Sequence, residues 1–302
     1  RNICSSHYMK LLDNELFYCQ NIDRYPPFKN GLYLEEYIFH HIKTNNIELK
    51  RKYIPALWTN LQLKKEFYQN KQTFQNSLDK WVQENPSTNG YFAVVQFDNG
   101  ILLDLPPNTL IYGACSGHIP IPLIYEDNTQ TLSRVYKKSF EDKQILCSFV
   151  GSITSNHIQP NVRATLFRLF QNNPNFKMIN SGQWTANVNA SSQITFIDTT
   201  INSKFALAPR GFGRSSFRFF ECFLLGTIPV YVYNDENWLP FKDKINYQKL
   251  CIVLHISHIH VLENDLNQIT PQKYQAMWDY YHSIKHLFEL EGMTNEIISQ
   301  NI

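Results

Sequence analysis

Arg210, Arg214 and Arg218 recur at every fourth position along Arg210-Gly-Phe-Gly-Arg-Ser-Ser-Phe-Arg218, and Glu221 follows three residues later. Gly211 and Gly213 lie between the first two arginines. Residues of these types at this spacing can build an anion site. Glycines let backbone N–H groups approach a ligand, a helix N-terminus adds partial positive charge, and guanidinium groups pair with phosphate oxygens. In that chemistry Arg218 meets a diphosphate and Glu221 accepts hydrogen bonds from ribose hydroxyls. The competing reading is a structural Arg–Glu pair, because i, i+3 residues share a helix face and a buried charge must be answered.

The elements that must position these groups are legible on either side. Lys204 to Ala208 is an apolar run ended by Pro209, which reads as a strand. Ser215 or Ser216 caps a helix that runs to about Leu225, where Gly226 stops it. Ile228 to Val232 is the next strand, with Pro229 tolerated at its start. Phe217, Phe219, Phe220, Cys222, Phe223, Leu224 and Leu225 make the helix apolar nearly all round, so it should be buried with its two charges.

The stretch Ser203-Lys-Phe-Ala-Leu-Ala-Pro-Arg-Gly-Phe-Gly-Arg-Ser-Ser-Phe-Arg-Phe-Phe-Glu221, with Gly226-Thr-Ile-Pro-Val230, resembles the signature of the exostosin family of glycosyltransferases. Phe149-Val-Gly151 with Arg163 looks like the family's strand-and-glycine segment. Trp238-Leu-Pro-Phe241 and Leu250 to Leu254 look like the segment that follows its signature. Tyr33-Leu-Glu-Glu-Tyr37, Tyr91 to Gly100 and Ile119-Pro-Ile-Pro122 resemble its N-terminal half more loosely. The resemblance implies an α/β protein of the GT-B class, with two Rossmann-like domains facing each other across a cleft. It also implies an inverting transfer of a sugar (xylose, galactose or glucuronate type) from a UDP-sugar donor to a glycan hydroxyl. The donor set is then Gly151, Ser152, Arg163, Arg210, Gly211, Gly213, Arg214, Ser215, Ser216, Arg218 and Glu221. Of these, Arg163 is either a helper at the site or a helix surface charge.

Such a transfer needs a base for the acceptor hydroxyl, and the resemblance puts it in the N-terminal half. Asp98 is the candidate, because it ends strand Tyr91 to Phe97, where α/β sheets place ligands. An ordinary Asp-Asn-Gly turn explains the same residues, and Asp104, Glu126 and His118 stand in reserve.

The other elements alternate as a parallel sheet requires. In the first half, Glu15 to Tyr18, Tyr53 to Leu57, Tyr91 to Phe97, Thr109 to Tyr112 and His118 to Ile124 read as strands, and Tyr25-Pro-Pro27 as a turn. Helices are expected at Tyr33 to Asn45, with Leu34, Tyr37, Ile38 and His41 on one face, and at Gln72 to Gln83. The polar stretch Asn128 to Lys143 suggests a boundary, giving an acceptor domain over 1–140 and a nucleotide-sugar domain over 141–302. In the second half, strands are expected at Ile145 to Val150 and Phe176 to Ile179, and helices at Asn161 to Asn172 and Thr195 to Asn202. Strand Leu250 to Leu254 and helical turn Glu263 to Gln268 follow. A last helix, Gln272 to Glu291, returns to the first domain.

The 302 residues suffice for two cores, and a net charge of +2 gives no reason to expect nucleic acid as a partner. An RNA-binding reading of the arginine loop therefore ranks last. No run is apolar enough to span a bilayer. The six cysteines include Cys147, Cys222 and Cys251 within apolar patterns, which favours a reducing, cytoplasmic setting. The alternative is a Golgi lumen location with a trimmed anchor, where Cys4 and Cys19 could pair. No Asp-x-Asp occurs, so positive side chains are expected to neutralise the leaving diphosphate with no metal and no cofactor. His255, His258 and His260 lack the further ligands of a zinc site. The rival function is a transferase-like module that binds a glycan or a partner and has lost its chemistry.

Overall fold

The structure, a computed structural model, describes residues 9–20, 31–154, 161–182, 185 and 188–302. The expected turn at Tyr25-Pro-Pro27 and Cys4 lie outside them. The chain divides into two compact units, both α/β with a wholly parallel sheet. That is the expected class, two Rossmann-like units.

The first unit contains Leu32–Glu126 and the tail His286–Ile302, together with residues 9–20. In order it runs α1 Leu34–Asn45, β1 Lys52–Tyr53, α2 Trp58–Gln62, α3 Lys65–Gln69, α4 Lys71–Glu84, β2 Tyr91–Val95, β3 Thr109–Gly113 and β4 Ile119–Pro120. The strands lie side by side in the order β1-β2-β3-β4. Phe74, Leu78 and Trp81 repeat at helical spacing on α4 and meet Phe17, Trp58 and Phe67 in one apolar cluster.

Several expectations differ in this unit: β1 keeps only Tyr53 of the run expected to Leu57, and β4 only Ile119–Pro120 of the run expected over His118 to Ile124. Glu15–Tyr18 is a 3-10 turn, not a strand. The Asn14 side chain accepts from Leu16 N–H (3.0 Å) and starts the turn. The inward face of α1 carries Leu34, Glu35, Ile38, Phe39 and Ile42, while Tyr37 and His41 stack on each other at 6.1 Å.

The second unit, Asp127–Lys285, contains β5 Ile145–Gly151, α5 Val162–Phe170, β6 Phe176–Asn180, α6 Ala190–Ile201, β7 Ser203–Pro209, α7 Phe217–Leu224 and β8 Ile228–Tyr233. It continues with α8 Tyr247–Leu250, β9 Ile252–His255, α9 Leu262–Asn267 and α10 Pro271–Ile284. The strand order is β6-β5-β7-β8-β9, the doubly wound pattern in which successive strands are added first on one side and then on the other. The direction reverses between β5 and β7. Ligands of such sheets bind in the crevice outside the strand C-termini at that switch point.

The division falls between Glu126 and Asp127, ahead of the expected residue 140. The polar stretch after it is anchored in the second unit and is not a linker. Leu132 is fully buried, Lys138 Nζ donates to Asn202 Oδ1, and the Phe140 ring lies 5.0 Å from Tyr274. The tail also differs from a single helix over Gln272 to Glu291. α10 ends at Ile284, a 3-10 turn Lys285–Phe288 follows, and a separate helix Leu290–Ser299 closes the chain. α10 stays with the second unit, where Tyr281 stacks on Phe223 at 4.5 Å and Tyr274 Oη donates to Lys204 O (2.6 Å). The closing helix packs in the first unit, where Asn301 O accepts from Lys50 N–H (2.6 Å) and Asn301 Nδ2 donates to Tyr112 Oη (3.0 Å). No described helix is long and apolar enough to cross a membrane.

Candidate active site

The apolar run Phe205 to Ala208 forms the centre of β7, hydrogen-bonded to β5 on one side and β8 on the other. Arg210 N–H still donates to Val232 O (3.1 Å), so the ladder holds the base of the glycine loop. α7 then runs from Phe217 to Leu224. It ends where Gly226 takes φ +78, with Thr227 N–H closing onto Cys222 O (2.9 Å). Ser216 occupies the N-cap position with extended backbone, yet its hydroxyl makes no capping bond. Ser216 Oγ is buried without a hydrogen-bond partner. The expected capping role is therefore unfilled, and the first turn of α7 is not served by its own serine. Ser215 is half-buried beside it, and Gly213 is buried.

Arg218 turns back from α7 to the end of β5. Its Nη2 donates to Val150 O (2.6 Å), and its guanidinium lies 4.8 Å from the Phe149 ring centroid. Nε is buried and has no hydrogen-bond partner. Burial draws this guanidinium below its usual range, and the Glu221 charge opposes that. Glu221 is buried, three residues along the same helix. Gly151 leaves the room for this approach. A Cβ there would clash with Arg218 Nη2 and lie 3.1 Å from Phe149 Cζ.

Arg163, at the start of α5, is not a surface charge. It bridges the two strand ends, with Nη1 donating to Ser152 O (3.2 Å) and Nε to Arg210 O (3.3 Å). Its guanidinium also lies over Phe149, at 5.9 Å, and a Cβ on Gly211 would come within 2.8 Å of its Nη2. Two cations thus share one ring at the switch point, where an anion would relieve their repulsion. Ser152 is buried, and its Oγ pairs with Thr154 Oγ1 (2.8 Å).

The other two arginines are held elsewhere. Arg210, 8% exposed, donates from Nη1 to Asn234 Oδ1 (3.1 Å), from Nη2 to Phe212 O (2.9 Å) and from Nε to Gly211 O (3.4 Å). It also pairs with Asp235 at 2.8 Å. Arg214 Nε bonds the other Asp235 oxygen (3.1 Å), and its guanidinium lies 5.3 Å from the Trp238 ring centroid. Partial burial pushes the Asp235 carboxyl up, but the Glu236 N–H and the two arginines outweigh it and hold it below its usual range. Asn234 and Asp235 are the residues sequence reasoning missed. They lie more than twenty positions from their partners, and nothing local marks them.

Asp98 belongs to the first unit, where it is exposed in the turn after β2. Gly100 N–H closes that turn onto Phe97 O (2.9 Å), and the buried Cys115 thiol donates to Asp98 Oδ1 at 3.6 Å. Gln62 fixes the same loop, donating to Gly100 O (2.7 Å) and accepting from Leu102 N–H (2.8 Å). Among the reserves, Glu126 accepts from Leu32 N–H (3.3 Å), and Asp104 is tied through its backbone to Gln75. His118 lies beside Ile111 in mid-β3, away from the strand end. His255 donates or accepts at both nitrogens, towards Asn234 O and Ser257.

Two further carboxyls stand out in the first unit. Glu35 is fully buried and accepts from Thr59 N–H (3.0 Å), Thr59 Oγ1 and Gln96 N–H (2.7 Å). Burial pushes its pKa up to about 7, against bonds that favour the ionised form. Glu36 is pushed up to about 7 by burial as well, opposed by Tyr33 N–H and Asn60.

Comparison with known proteins bears on the same residues. The family profile of the Exostosin GT47 domain matches residues 113–269, just over half the chain. A relative from Arabidopsis thaliana, described as a probable glycosyltransferase, is 28% identical over 98 residues. That stretch is 32% of this chain and 19% of the relative, so the match spans about a fifth of the relative's length. The profile covers β5 to α9, including every group that converges on Phe149 and the whole loop behind Asp235. The chain belongs to the exostosin GT47 family of glycosyltransferases.

Proposed function

We propose that this chain transfers a sugar from a UDP-sugar to a carbohydrate hydroxyl, with inversion and without a metal ion. The observation that carries the reading is Arg218. It is a guanidinium with an unpartnered buried Nε, two residues after Ser216, whose buried hydroxyl is also unpartnered, at the N-terminus of α7 and the switch point of the sheet. A diphosphate would answer both donors and the α7 dipole. Glu221, one turn further along, would accept from the ribose hydroxyls.

In the reaction the Asp98 carboxylate takes the proton of the acceptor hydroxyl as its oxygen attacks the anomeric carbon. The bond from that carbon to the diphosphate oxygen breaks, and UDP leaves with the electron pair. Charge growing on the diphosphate is met by Arg218 and the first turn of α7, which lowers the barrier more than it lowers the ground state. The donor sugar is of the xylose, galactose or glucuronate type, and the acceptor is a glycan.

A UDP-release screen with UDP-xylose, UDP-galactose and UDP-glucuronate, with glycan acceptors and excess EDTA, tests this. Acceptor-dependent release that survives EDTA is the expected result. Strict dependence on Mn²⁺ or Mg²⁺ would remove the arginine-only account. UDP binding with no turnover of any donor would mark a transferase-like binding module.

A further inference from the structure

We propose that Asp235 is the positioning residue of the glycine loop, and that Arg210 and Arg214 are its struts and not ligands of the donor. The inference rests on the donor reading of Arg218 and assigns the neighbouring arginines a different task.

Position alone suggests three phosphate ligands, but the geometry separates them. Arg210 directs its donors at the carbonyls of Gly211 and Phe212, inside its own loop, and at the Asn234–Asp235 pair beyond β8. Arg214, at the other end of the loop, grips the same carboxylate through Nε, with Glu236 at 3.8 Å from Nη1. Its carbonyl accepts from Tyr231 Oη (2.9 Å). Both ends of a five-residue segment containing two glycines are therefore tied to one aspartate. Without those ties Gly211 and Gly213 would sample many conformations, and the ordering cost would fall on ligand binding. The grip is itself anchored. Asn234 O takes a hydrogen from His255 Nε2 (2.8 Å), and Ser257 N–H donates to His255 Nδ1 (3.1 Å), which fixes the tautomer.

The sign of one substitution decides between the two assignments. Asp235→Asn removes the negative charge that holds the glycine loop and releases two cations. If Arg210 and Arg214 were ligands, UDP would bind more tightly. As struts they lose their common anchor, the loop loosens, and UDP binds about tenfold more weakly, the scale of one or two side chains no longer preorganised.

Asp235→Glu separates geometry from charge. It keeps the carboxylate but changes the reach, so struts predict weaker UDP binding and direct ligands predict no change. Arg210→Ala combined with Asp235→Asn should be no worse than the weaker single variant, because both break one unit.

The experiment is calorimetric titration of folded full-length variants with UDP, alongside amide hydrogen exchange over residues 211–213. Weaker UDP binding and faster exchange in Asp235→Asn, with kcat at saturating donor within a few-fold of the parent, is the expected result. Tighter or unchanged UDP binding, or unchanged exchange, overturns the proposal. If the parent itself does not bind UDP, the donor reading fails, and hydrogen exchange alone then decides whether Asp235 orders the loop. Should Asp235→Asn not fold, Asp235→Glu carries the same comparison.

Discussion

Gly151→Ala is the smallest change that reaches the proposed diphosphate ligand without touching it chemically. Gly151 has no positive φ, so alanine meets no backbone penalty there. The new methyl would instead occupy the place of Arg218 Nη2 and sit 3.2 Å from Arg218 Cζ and 3.1 Å from Phe149 Cζ. The aromatic ring is 2% exposed and the guanidinium ends a flexible side chain, so the guanidinium is the group expected to shift, away from Val150 O.

Loss of a hydrogen bond to a charged group costs about 1.5–3 kcal/mol, and alanine in place of glycine returns about 0.4–1 kcal/mol through the unfolded chain. A net destabilisation of roughly 0.5–2.5 kcal/mol is therefore expected. UDP binding should suffer separately. If Arg218 gives one charge-assisted bond to the diphosphate, displacing it weakens UDP by at least about tenfold.

Thermal unfolding and UDP calorimetry on the same sample read both effects. Arg218→Lys supplies the control, because lysine cannot reproduce the forked contact. The double variant should be no weaker for UDP than the worse single one. Gly151→Ala with parental stability and parental UDP affinity would refute the reasoning, since it would show that Arg218 has slack and is not held where a ligand needs it.

Three more outcomes follow from the structure. Glu36, raised to about 7 when folded from its ordinary value of 4.5, holds a proton that the unfolded chain releases. Its contribution is complete below about 4.5 and is lost as pH rises to about 7, with a slope of up to about 1.4 kcal/mol per pH unit. Urea unfolding of Glu36→Gln beside the parent should therefore show the parent's relative stability falling between pH 5 and 7 and levelling above; a constant difference would put the carboxyl in its ordinary range. Asp98→Asn should leave UDP affinity unchanged and lower kcat by about a hundredfold, as for loss of a positioned base; kcat within a few-fold of the parent would place the base elsewhere. Glu221→Ala, in a sample shown to be folded, should weaken UDP by about 1.5–3 kcal/mol; unchanged affinity would leave Glu221 as a structural charge that offsets Arg218.

What the sequence made legible is what local chemistry dictates. β7, α7 and β8 match their expected bounds within about two residues because Pro209, the loop glycines and Gly226 punctuate them. The approach of Arg218 to Gly151 depends on the spatial order of the strands, which the sequence alone does not set. Signals that depend on packing were not legible either. Gln272 to Glu291 reads as one helix because Ile284, Leu287 and Phe288 continue its apolar face through the 3-10 turn. Glu35 and Glu36 were not among the residues expected on the inner face of the helix over Tyr33 to Asn45, yet Thr59 and Gln96 supply N–H groups from distant segments to Glu35.

The arginine loop shows the limit most clearly. Residue type and spacing make Arg210, Arg214 and Arg218 equivalent, and a motif can say no more than that three cations gather near two glycines. What separates them is where each finds its acceptors. Arg210 and Arg214 find a carboxylate and loop carbonyls. Arg218 finds one carbonyl and an aromatic face, and keeps a buried N–H unanswered. An unanswered donor in a buried place is costly to folding and is retained only where something else completes it. The same accounting that supports our proposal of Arg218 as the anion ligand supports assigning its neighbours to the framework, a division that spacing alone does not make.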